Sequence, residues 1–360
     1  MALSLALIGS AGAEARVVWK VKGGGFGHGV GLSQYGAYGL AQHGWGWKRI
    51  LGHYYRNTTV AATDPRKVRV LLRPYQQSVQ FNGASSACGV TLSEAKTYQA
   101  VRSGNGVLLR NPKGLTLKNC GGLLSATGGD SVHMVGKGTY RGALQVRPSS
   151  VPGRVNAINS LGVEPYVQGV VALESPSSWP MNALRAQAVV ARSYGLSSSV
   201  GGRGFDLYDT TSSQVYGGVG AETARTNQAV EDTKLQVVKY QGSIAQTFFF
   251  STSGGHTESN EFVWGGKPIP YLRGVDDPYD TTSPYHRWVR RLSQRGIQSA
   301  LSSLVRGKLR RIRVLRRGDS PRIFRARLVG SGGNTKVSGQ TLKSYLGLLD
   351  APWYIKKIVR

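Results

Sequence analysis

The sequence contains few cysteines. Cys88 and Cys120 are the two present among 360 residues, and neither belongs to a CxxC pair. Without a CxxC pair, no structural zinc site is expected. We expect no metal and no cofactor. If the protein is exported, two cysteines within one strand-rich region predict a disulfide that contributes on the order of 3 kcal/mol. Two buried free thiols are the alternative.

Acidic residues are also scarce. The chain has 46 Lys and Arg against 18 Asp and Glu, which gives a formal net charge of +28. Such a charge favours polyanions, whether nucleic acid, anionic lipid or the anionic polymers of a bacterial wall. The sequence lacks a zinc-finger or RNP signature, and its basic residues are spread along the chain, so we expect no nucleic-acid partner.

Long apolar runs are missing as well. The N-terminus has a short apolar segment, Leu3 to Ile8, followed by Ala13-Glu14-Ala15, which has the small-x-small form of a signal-peptidase site. This stretch is too short to span a membrane, and it lacks a positive n-region. We expect residues 1–15 to be a signal peptide and the protein to be exported, outside the cell or in the wall. A disordered terminus is the alternative.

Glycine, by contrast, is abundant, with 49 residues, which predicts many turns and short strands. Residues 63–150 alternate apolar and polar side chains between Gly, Asn, Ser and Pro, a pattern typical of antiparallel hairpins. We therefore predict a mixed, strand-rich α+β fold with a β-rich accessory region there. Helices are predicted from about Ser33, at Trp47–Tyr55, roughly over Ala221–Thr233, near Ile297–Val305 and at Gly339–Leu346.

The most informative stretch is residues 164–196, EPYVQGVVALESPSSWPMNALRAQAVVARSYGL. Glu174 ends an apolar run that we interpret as a strand, and a helix follows with Ser178 as its N-cap and Pro180 in its first turn. A carboxyl at the end of an apolar segment is a candidate general acid, because burial raises its pKa. A surface or salt-bridged glutamate is the alternative.

Written as VxGVVxxExPxSWPxxALxAQAVxARSYxL, this stretch resembles the core motif of the SpoIID/LytB family of cell-wall proteins. The resemblance implies that residues 151–350 form the catalytic core and that Glu174 is the catalytic acid. It also places a family arginine at Arg192. Arg185, two helical turns before it, and Tyr194 are further candidates for holding the substrate.

A second string, GHGVGLSQYGAYGLA at residues 27–41, also resembles the family. In the family it commonly follows the core, whereas here it precedes it, as in a circular permutation. We therefore expect residues 16–62 to pack on the core, with His28, Gln34 and Tyr35 beside Glu174. For His28, a turn histidine bonded to backbone is the alternative. The glycine spacing does not match a dinucleotide-binding loop.

Three later segments supply the remaining candidates. FDLYDTTSSQVYGG resembles a family pattern, CDTTHCQVY, but has Tyr208, Ser212 and Ser213 at the cysteine, histidine and cysteine positions, so no metal or thiol role is expected there. Loops on rigid strands commonly carry binding residues, and Trp179 or Trp264 offers a flat apolar face. The expected sugar contacts from these segments are Asp209, Thr211, Gln214, Tyr216, Ser251, Ser253, His256, Tyr271 and Arg273.

The resemblance implies that peptidoglycan glycan strands are the substrate, with one glutamate cleaving the MurNAc–GlcNAc bond as in a lytic transglycosylase. A hydrolytic muramidase is an alternative, with Asp206, Asp209, Asp276 and Asp277 available as a second carboxylate. A wall-binding modifier of an amidase, without catalysis, is another. Anionic wall polymers and a partner wall hydrolase are the other expected partners.

Overall fold

The computed structural model describes residues 17–202 and 204–359, so the signal peptide expected at residues 1–15 lies outside the described residues. The predicted α+β class is confirmed, with helices and several sheets. No helix in these ranges is both long and apolar enough to cross a bilayer. The helices are α1 (Gln34–Gln42), α2 (Trp47–Tyr54), α3 (Val163–Glu174), α4 (Met181–Ser197), α5 (Ala224–Asp232), α6 (Asn260–Val263), α7 (Gln294–Ala300) and α8 (Gly339–Tyr345), with 3-10 turns at Gly218–Ala221 and Asp280–Thr282.

The strands alternate in burial as expected for sheets with one covered face. In chain order they are β1 (Val17–Gly23), β2 (Leu32–Ser33), β3 (Thr59–Ala62), β4 (Lys67–Gln76), β5 (Ser78–Asn82), β6 (Ser86–Ala87), β7 (Val90–Thr91), β8 (Tyr98–Ser103), β9 (Gly106–Arg110), β10 (Thr116–Asn119), β11 (Leu124–Met134), β12 (Gly138–Pro148), β13 (Val155–Gly162), β14 (Leu207–Tyr208), β15 (Gln236–Tyr240), β16 (Ser243–Ile244), β17 (Phe249–Phe250), β18 (Trp288–Ser293), β19 (Leu309–Arg317), β20 (Ile323–Gly330), β21 (Gly333–Ser338) and β22 (Tyr354–Val359).

The largest sheet runs in the order β10-β9-β8-β5-β11-β12-β13-β4-β14, with β6 and β7 attached to β11. It is antiparallel except where β14 pairs in parallel with β4. Cys88 and Cys120 form a disulfide within this region. The boundary expected at residue 150 falls inside this sheet, because β13 bonds to both β12 and β4.

Helix α4 is the centre of the molecule because its two opposite faces are both buried. Ala188 and Ala191 pack into the core of the large sheet together with α3. Ala186, Val189 and Val190 pack instead against α1 and α2. Small side chains at these positions let α3 and the other helices approach closely on both sides.

The N-terminal strand belongs to the C-terminal part of the fold. Strand β1 lies between β18 and β22, and both pairings are antiparallel. A second sheet, β19-β20-β21, shares an apolar core with this one around Trp19 and Val21. The two smallest sheets, β3-β15-β16 and the parallel pair β2-β17, join the first sixty residues to the segment after residue 236.

Several expectations about local structure were wrong. The apolar run before Glu174 is the last turn of α3, because Tyr166, Val167, Val170 and Val171 are buried with helical spacing, which a short apolar run cannot distinguish from a strand. Pro180, and not Ser178, occupies the N-cap of α4, without a side-chain hydrogen bond. The segment 243–250 forms two strands of two residues each, and α7 ends at Ala300.

A buried ion pair fixes α4 to its neighbours. Arg192, fully buried, donates to Glu164 on α3 through Nε at 2.9 Å and Nη2 at 2.6 Å. Its remaining N–H groups donate to the carbonyls of Val230 and Gln236, so one guanidinium joins four elements. Glu164 Oε1 also accepts from the Leu235 backbone N–H.

Two arginines on α4 allow the cost of losing this pair to be measured. Arg192→Met should lower the free energy of unfolding by about 3–5 kcal/mol, because Glu164 is then left largely buried without its cation. Arg185→Met, which breaks the partly exposed pair with Asp232, is the matched control and should change it by at most about 1 kcal/mol. Urea unfolding followed by circular dichroism measures both; equal losses would contradict this interpretation.

Candidate functional site

A cavity of about 650 Å³ opens where the glycine-rich segment, the end of α3 and the strand β17 meet. Its walls come from several separate parts of the chain, between residues 26 and 343. The lining residues are Phe26, Gly27, His28, Gln34, Glu174, Tyr194, Thr211, Ser212, Ser213, Phe248, Phe249, Phe250, Ser251, Trp264 and Lys343.

Glu174 enters this cavity from the last position of α3. Its Oε1 accepts a hydrogen bond of 2.9 Å from the Val215 backbone N–H. Its Oε2 lies 3.4 Å from Nε2 of Gln34. The carboxyl is thus half-buried, held at one oxygen by backbone, with the second oxygen facing the cavity side of the helix end.

Burial raises the pKa of Glu174 above its ordinary value, and the hydrogen bonds from Val215 and Gln34 offset part of that rise. The helix position acts in the same direction as burial, because the C-terminal end of a helix carries partial negative charge. No nearby cation contributes to the balance. A carboxyl in this setting holds its proton to a higher pH than an exposed one.

Gln34 positions the carboxyl from the first turn of α1. Its Nε2 donates to the backbone carbonyl of Glu174 at 2.8 Å, which satisfies one of the unpaired carbonyls at the end of α3. Ser33 caps α1 by accepting from the Gly36 backbone N–H, and β2 holds Ser33 beside Phe250 of β17. These contacts fix the start of α1, and they therefore fix the position from which Gln34 reaches Glu174.

The glycine-rich segment places His28 at the mouth of the cavity. Gly27 and Gly31 have φ values of +125° and +79°, which favour glycine. A Cβ on Gly31 would lie 2.1 Å from the Phe248 carbonyl oxygen, so the segment packs directly on the backbone of its neighbour. Lys343 on α8 braces the same segment through a hydrogen bond to the Gly27 carbonyl.

His28 is neutral in this environment. Burial, with the nearby Lys343 cation, lowers its pKa to about 4. Its Nδ1 accepts from the Val30 backbone N–H at 3.1 Å, so the proton lies on Nε2. The alternative expectation of a turn histidine bonded to backbone is therefore met, although the ring also lines the cavity.

Aromatic rings form one wall of the cavity. The Trp264 ring lies 5.2 Å from His28 and 4.5 Å from Phe248, measured between centroids. Phe250 lies 5.4 Å from His28. Trp264 remains 49% exposed and Phe26 40%, so flat apolar faces are available at the rim, as sugar binding requires.

Hydroxyl groups also line the cavity. Thr211, Ser212 and Ser213 line it, and Tyr194 of α4 joins them through a hydrogen bond to Ser213. Burial raises the pKa of Tyr194, so its hydroxyl stays protonated. In this chain, serine hydroxyls therefore occupy the cavity at the positions where the related pattern has histidine and cysteine.

Six of the candidate residues meet in the cavity. The structure brings together Glu174, His28, Gln34, Tyr194, Thr211 and Ser251. The segments expected to fold back onto the core do so for His28 and Gln34. Tyr35 packs against Trp179 at 5.1 Å instead of lining the cavity, because side chains one residue apart on α1 point in different directions.

Three candidates after α4 support the cavity wall from behind. Gln214 donates to the Tyr166 hydroxyl at 2.9 Å, and Tyr216 donates to Asn159 at 2.7 Å, both in the protein interior. Asp209 pairs with Lys137 at 2.6 Å. In the described chain none of these three is among the residues that line the cavity, and their sugar contacts stay predictions.

The other candidates also lie outside the cavity lining. Arg185 and Arg192 pair with acids on the far side of α4, as described above. Ser253 donates to buried Asp280, and the Tyr271 hydroxyl accepts from the Gln246 backbone N–H. Arg273 pairs with Glu261, and His256 bonds to its neighbour Thr257 and faces Asp276. The loops carrying these residues are held by internal polar bonds, and the sugar contacts expected of them stay predictions.

Sequence reasoning missed Lys343, Phe26 and the three phenylalanines at 248–250. The FFF run looks like an ordinary buried strand, and nothing in its spacing shows that its end faces a cavity. Lys343 lies 169 residues after Glu174, in a short amphipathic helix whose sequence carries no recognisable motif. Proximity of this kind depends on tertiary packing.

Other acidic groups do not reach this cavity. Among its lining residues in the described chain, Glu174 is the one that carries a carboxyl. Asp206 pairs with Arg69, Asp277 is buried against Tyr54, and Asp276 is exposed elsewhere. Within residues 17–202 and 204–359, no three His, Cys, Asp or Glu side chains cluster as metal ligands.

Comparison with known proteins identifies a family. Residues 152–240 match the family model described as SpoIID, stage II sporulation protein. The chain is 30% identical over 234 residues to stage II sporulation protein D of Bacillus subtilis, a match that covers 59% of this chain and 67% of that protein.

Two other relatives match a shorter segment. The amidase enhancer of Bacillus subtilis is 38% identical over 140 residues, and an uncharacterised protein of Brachyspira hyodysenteriae is 38% identical over 139 residues. These matches cover 39% and 38% of this chain. The chain spans 19% and 37% of the length of these two proteins.

The raised pKa of Glu174 gives a stability prediction with a definite sign. The folded state binds this proton more tightly than the unfolded state, so Glu174 lowers stability progressively as pH rises above its ordinary pKa. Glu174→Gln removes that effect. The stability of the variant relative to the parent should therefore increase between pH 4 and pH 7 in urea unfolding.

Glu231→Gln, at an exposed position on α5, is the control and should show no such trend. A relative stability of Glu174→Gln that stays flat or falls over this pH range would contradict the burial described here.

Proposed function

The chain belongs to the SpoIID/LytB family, and we propose that it is an exported wall protein that cleaves peptidoglycan glycan strands as a lytic transglycosylase. The observation that carries the proposal is a single half-buried carboxyl, with a raised pKa, in a cavity walled by aromatic rings and hydroxyls. Such an acid can protonate a leaving oxygen near neutral pH.

The proposed reaction uses Glu174 twice. We place the proton on Oε2, because Oε1 accepts the shorter hydrogen bond, 2.9 Å from the Val215 N–H, whereas Oε2 lies 3.4 Å from the Gln34 amide. It passes to the glycosidic oxygen as the bond from MurNAc C1 to that oxygen breaks, releasing GlcNAc with a free hydroxyl. The MurNAc C6 hydroxyl then attacks C1 and returns its proton to Glu174. The products are a 1,6-anhydro-MurNAc end and an unchanged enzyme.

Within residues 17–202 and 204–359, no carboxyl other than that of Glu174 lines the cavity, which favours this reaction over hydrolysis. Both hydrolytic geometries use two carboxylates that flank the scissile bond. Asp206 and Asp209, the nearest candidates along the chain, are each paired with a cation. An intramolecular sugar hydroxyl as nucleophile needs neither a second base nor a positioned water.

The other cavity residues have separate proposed roles. Gln34 orients the acid through two contacts to Glu174. Trp264 and Phe26 provide faces on which sugar rings stack, and Thr211, Ser212 and Ser251 bond sugar hydroxyls. Neutral His28 adds an uncharged ring to the cavity lining, held by hydrogen bonds to the backbone at Val30 and Phe249.

A second candidate function is enhancement of an amidase without glycan cleavage. The relative named amidase enhancer is 38% identical over 140 residues, which is the observation that favours it. In that function the cavity binds the strand and a partner wall hydrolase performs the cleavage. The two functions differ in whether Glu174 must lose a proton.

The product assay separates these functions. Purified glycan strands incubated with the parent protein should yield 1,6-anhydro ends by mass spectrometry, without incorporation of ¹⁸O from labelled water. Glu174→Gln should reduce the yield by at least about 100-fold, because it removes the acid and the base together.

Asp209→Asn is the matched control and should retain cleavage, since its partner is Lys137. Reducing ends that carry ¹⁸O would sink the transglycosylase assignment in favour of a hydrolase. Full amidase enhancement by Glu174→Gln, with no cleavage by the parent protein, would establish the second candidate.

The aromatic rim gives a separate prediction about binding. Trp264→Ala should weaken binding of glycan oligosaccharides to the inactive Glu174→Gln protein by roughly 2- to 10-fold, the effect of losing one stacked ring. Trp45→Ala, at a tryptophan covered by Arg49 away from the cavity, is the control. Isothermal calorimetry measures both, and an unchanged affinity for Trp264→Ala would exclude stacking there.

A further inference from the structure

The outer face of the sheet β19-β20-β21 is a continuous basic surface. Strand register places Arg313, Arg327 and Lys336 directly opposite one another across the three strands. Arg316 and Arg325 form a second row beside them, and Arg311 lies in a third. We call these six side chains the basic face.

The opposite face of the same sheet is apolar and packs against the core, which stabilises the sheet. Ile312 and Leu328 occupy the alternate positions and are buried in the core that contains Trp19. The period of two therefore separates an apolar inner face from a cationic outer face. Nothing in the packing of this sheet requires cations on its outer side.

These cations are not neutralised within the protein. In the described ranges, none of the six side chains forms an ion pair with an acidic residue or donates a hydrogen bond, although Arg316 and Arg325 lie over the Phe324 ring. Like charges directly opposite in a sheet are destabilising. The basic face therefore costs stability in the free protein, and an anion that binds there relieves the repulsion.

We propose that the basic face binds a linear polyol-phosphate polymer, separately from the glycan cavity; the choice of polymer rests on the proposed wall function. Five of the six cations are arginines, whose planar guanidinium matches phosphate oxygens in a two-point contact. Rows lie about 6.8 Å apart along the strands, and strands about 4.8 Å apart across them. Cations at these spacings can contact successive phosphates of an extended polymer that carries one negative charge per repeat.

Two other anionic partners fit this surface less well. Proteins that hold single-stranded nucleic acid stack its bases on open aromatic rings, but the Phe324 ring is covered by Arg316 and Arg325. Binding to a bilayer adds insertion of apolar side chains, and the outward positions in the central row are all cationic.

The test compares two triple variants of the full chain. Arg313→Gln, Arg327→Gln and Lys336→Gln together remove the central row. Lys96→Gln, Lys113→Gln and Lys118→Gln together remove the same charge from exposed positions near the far edge of the large sheet. Poly(glycerol phosphate) is the probe, with single-stranded DNA and vesicles of phosphatidylcholine and phosphatidylglycerol in parallel, at several salt concentrations.

The central-row variant should bind poly(glycerol phosphate) at least about 10-fold more weakly at 0.15 M salt, with a shallower salt dependence, because three phosphate contacts are lost. The control should lose less than about 3-fold. Melting temperature should be unchanged or higher in the central-row variant, since repulsion is removed.

Equal losses in both variants, or none in the central-row variant, would overturn the proposal. Tighter, row-dependent binding of DNA or vesicles would overturn the choice of partner. The anhydro-product assay on isolated glycan strands is independent: the central-row variant should keep it, and a failed product assay with intact polymer binding would reject the transglycosylase function alone.

Discussion

The site depends on one amide side chain. Gln34 joins the first turn of α1 to the last residue of α3, 140 positions later, through both the backbone carbonyl and the carboxyl of Glu174. A helix end normally leaves its carbonyls to water, and an acid there is free to turn. The Gln34 amide fixes the end of α3 and the Glu174 carboxyl in place, and both form part of the cavity wall.

Sequence reasoning located the acid, both family segments and the fold class, because these depend on local residue order and composition. It failed where side-chain direction decides the outcome. Arg192 and Gln214 match the family motif, yet they point away from the cavity and hold helices together. Lys343 and the 248–250 phenylalanines carry no local signal at all. For Glu174 itself, an apolar run suggested a strand, and the helical spacing of the buried residues of α3 shows a helix.

Two parts of the molecule have arrangements that lower the stability of the folded protein. Glu174 is partly withdrawn from water at a helix end, and the basic face opposes cation to cation. Well-packed surroundings offset both free-energy costs. The core around α4 lies beside Glu174, and the core around Trp19 lies under the basic face. Proteins commonly tolerate such local costs where they bind or react.

Strand β1 sits between two strands that the ribosome makes roughly 270 and 335 residues later. The glycine-rich segment that follows β1 is braced by Lys343, which is also made late. A growing chain therefore carries Glu174 for a long time without a finished pocket around it. In this topology the pocket around Glu174 therefore stays incomplete until α8, which carries Lys343, has been synthesised.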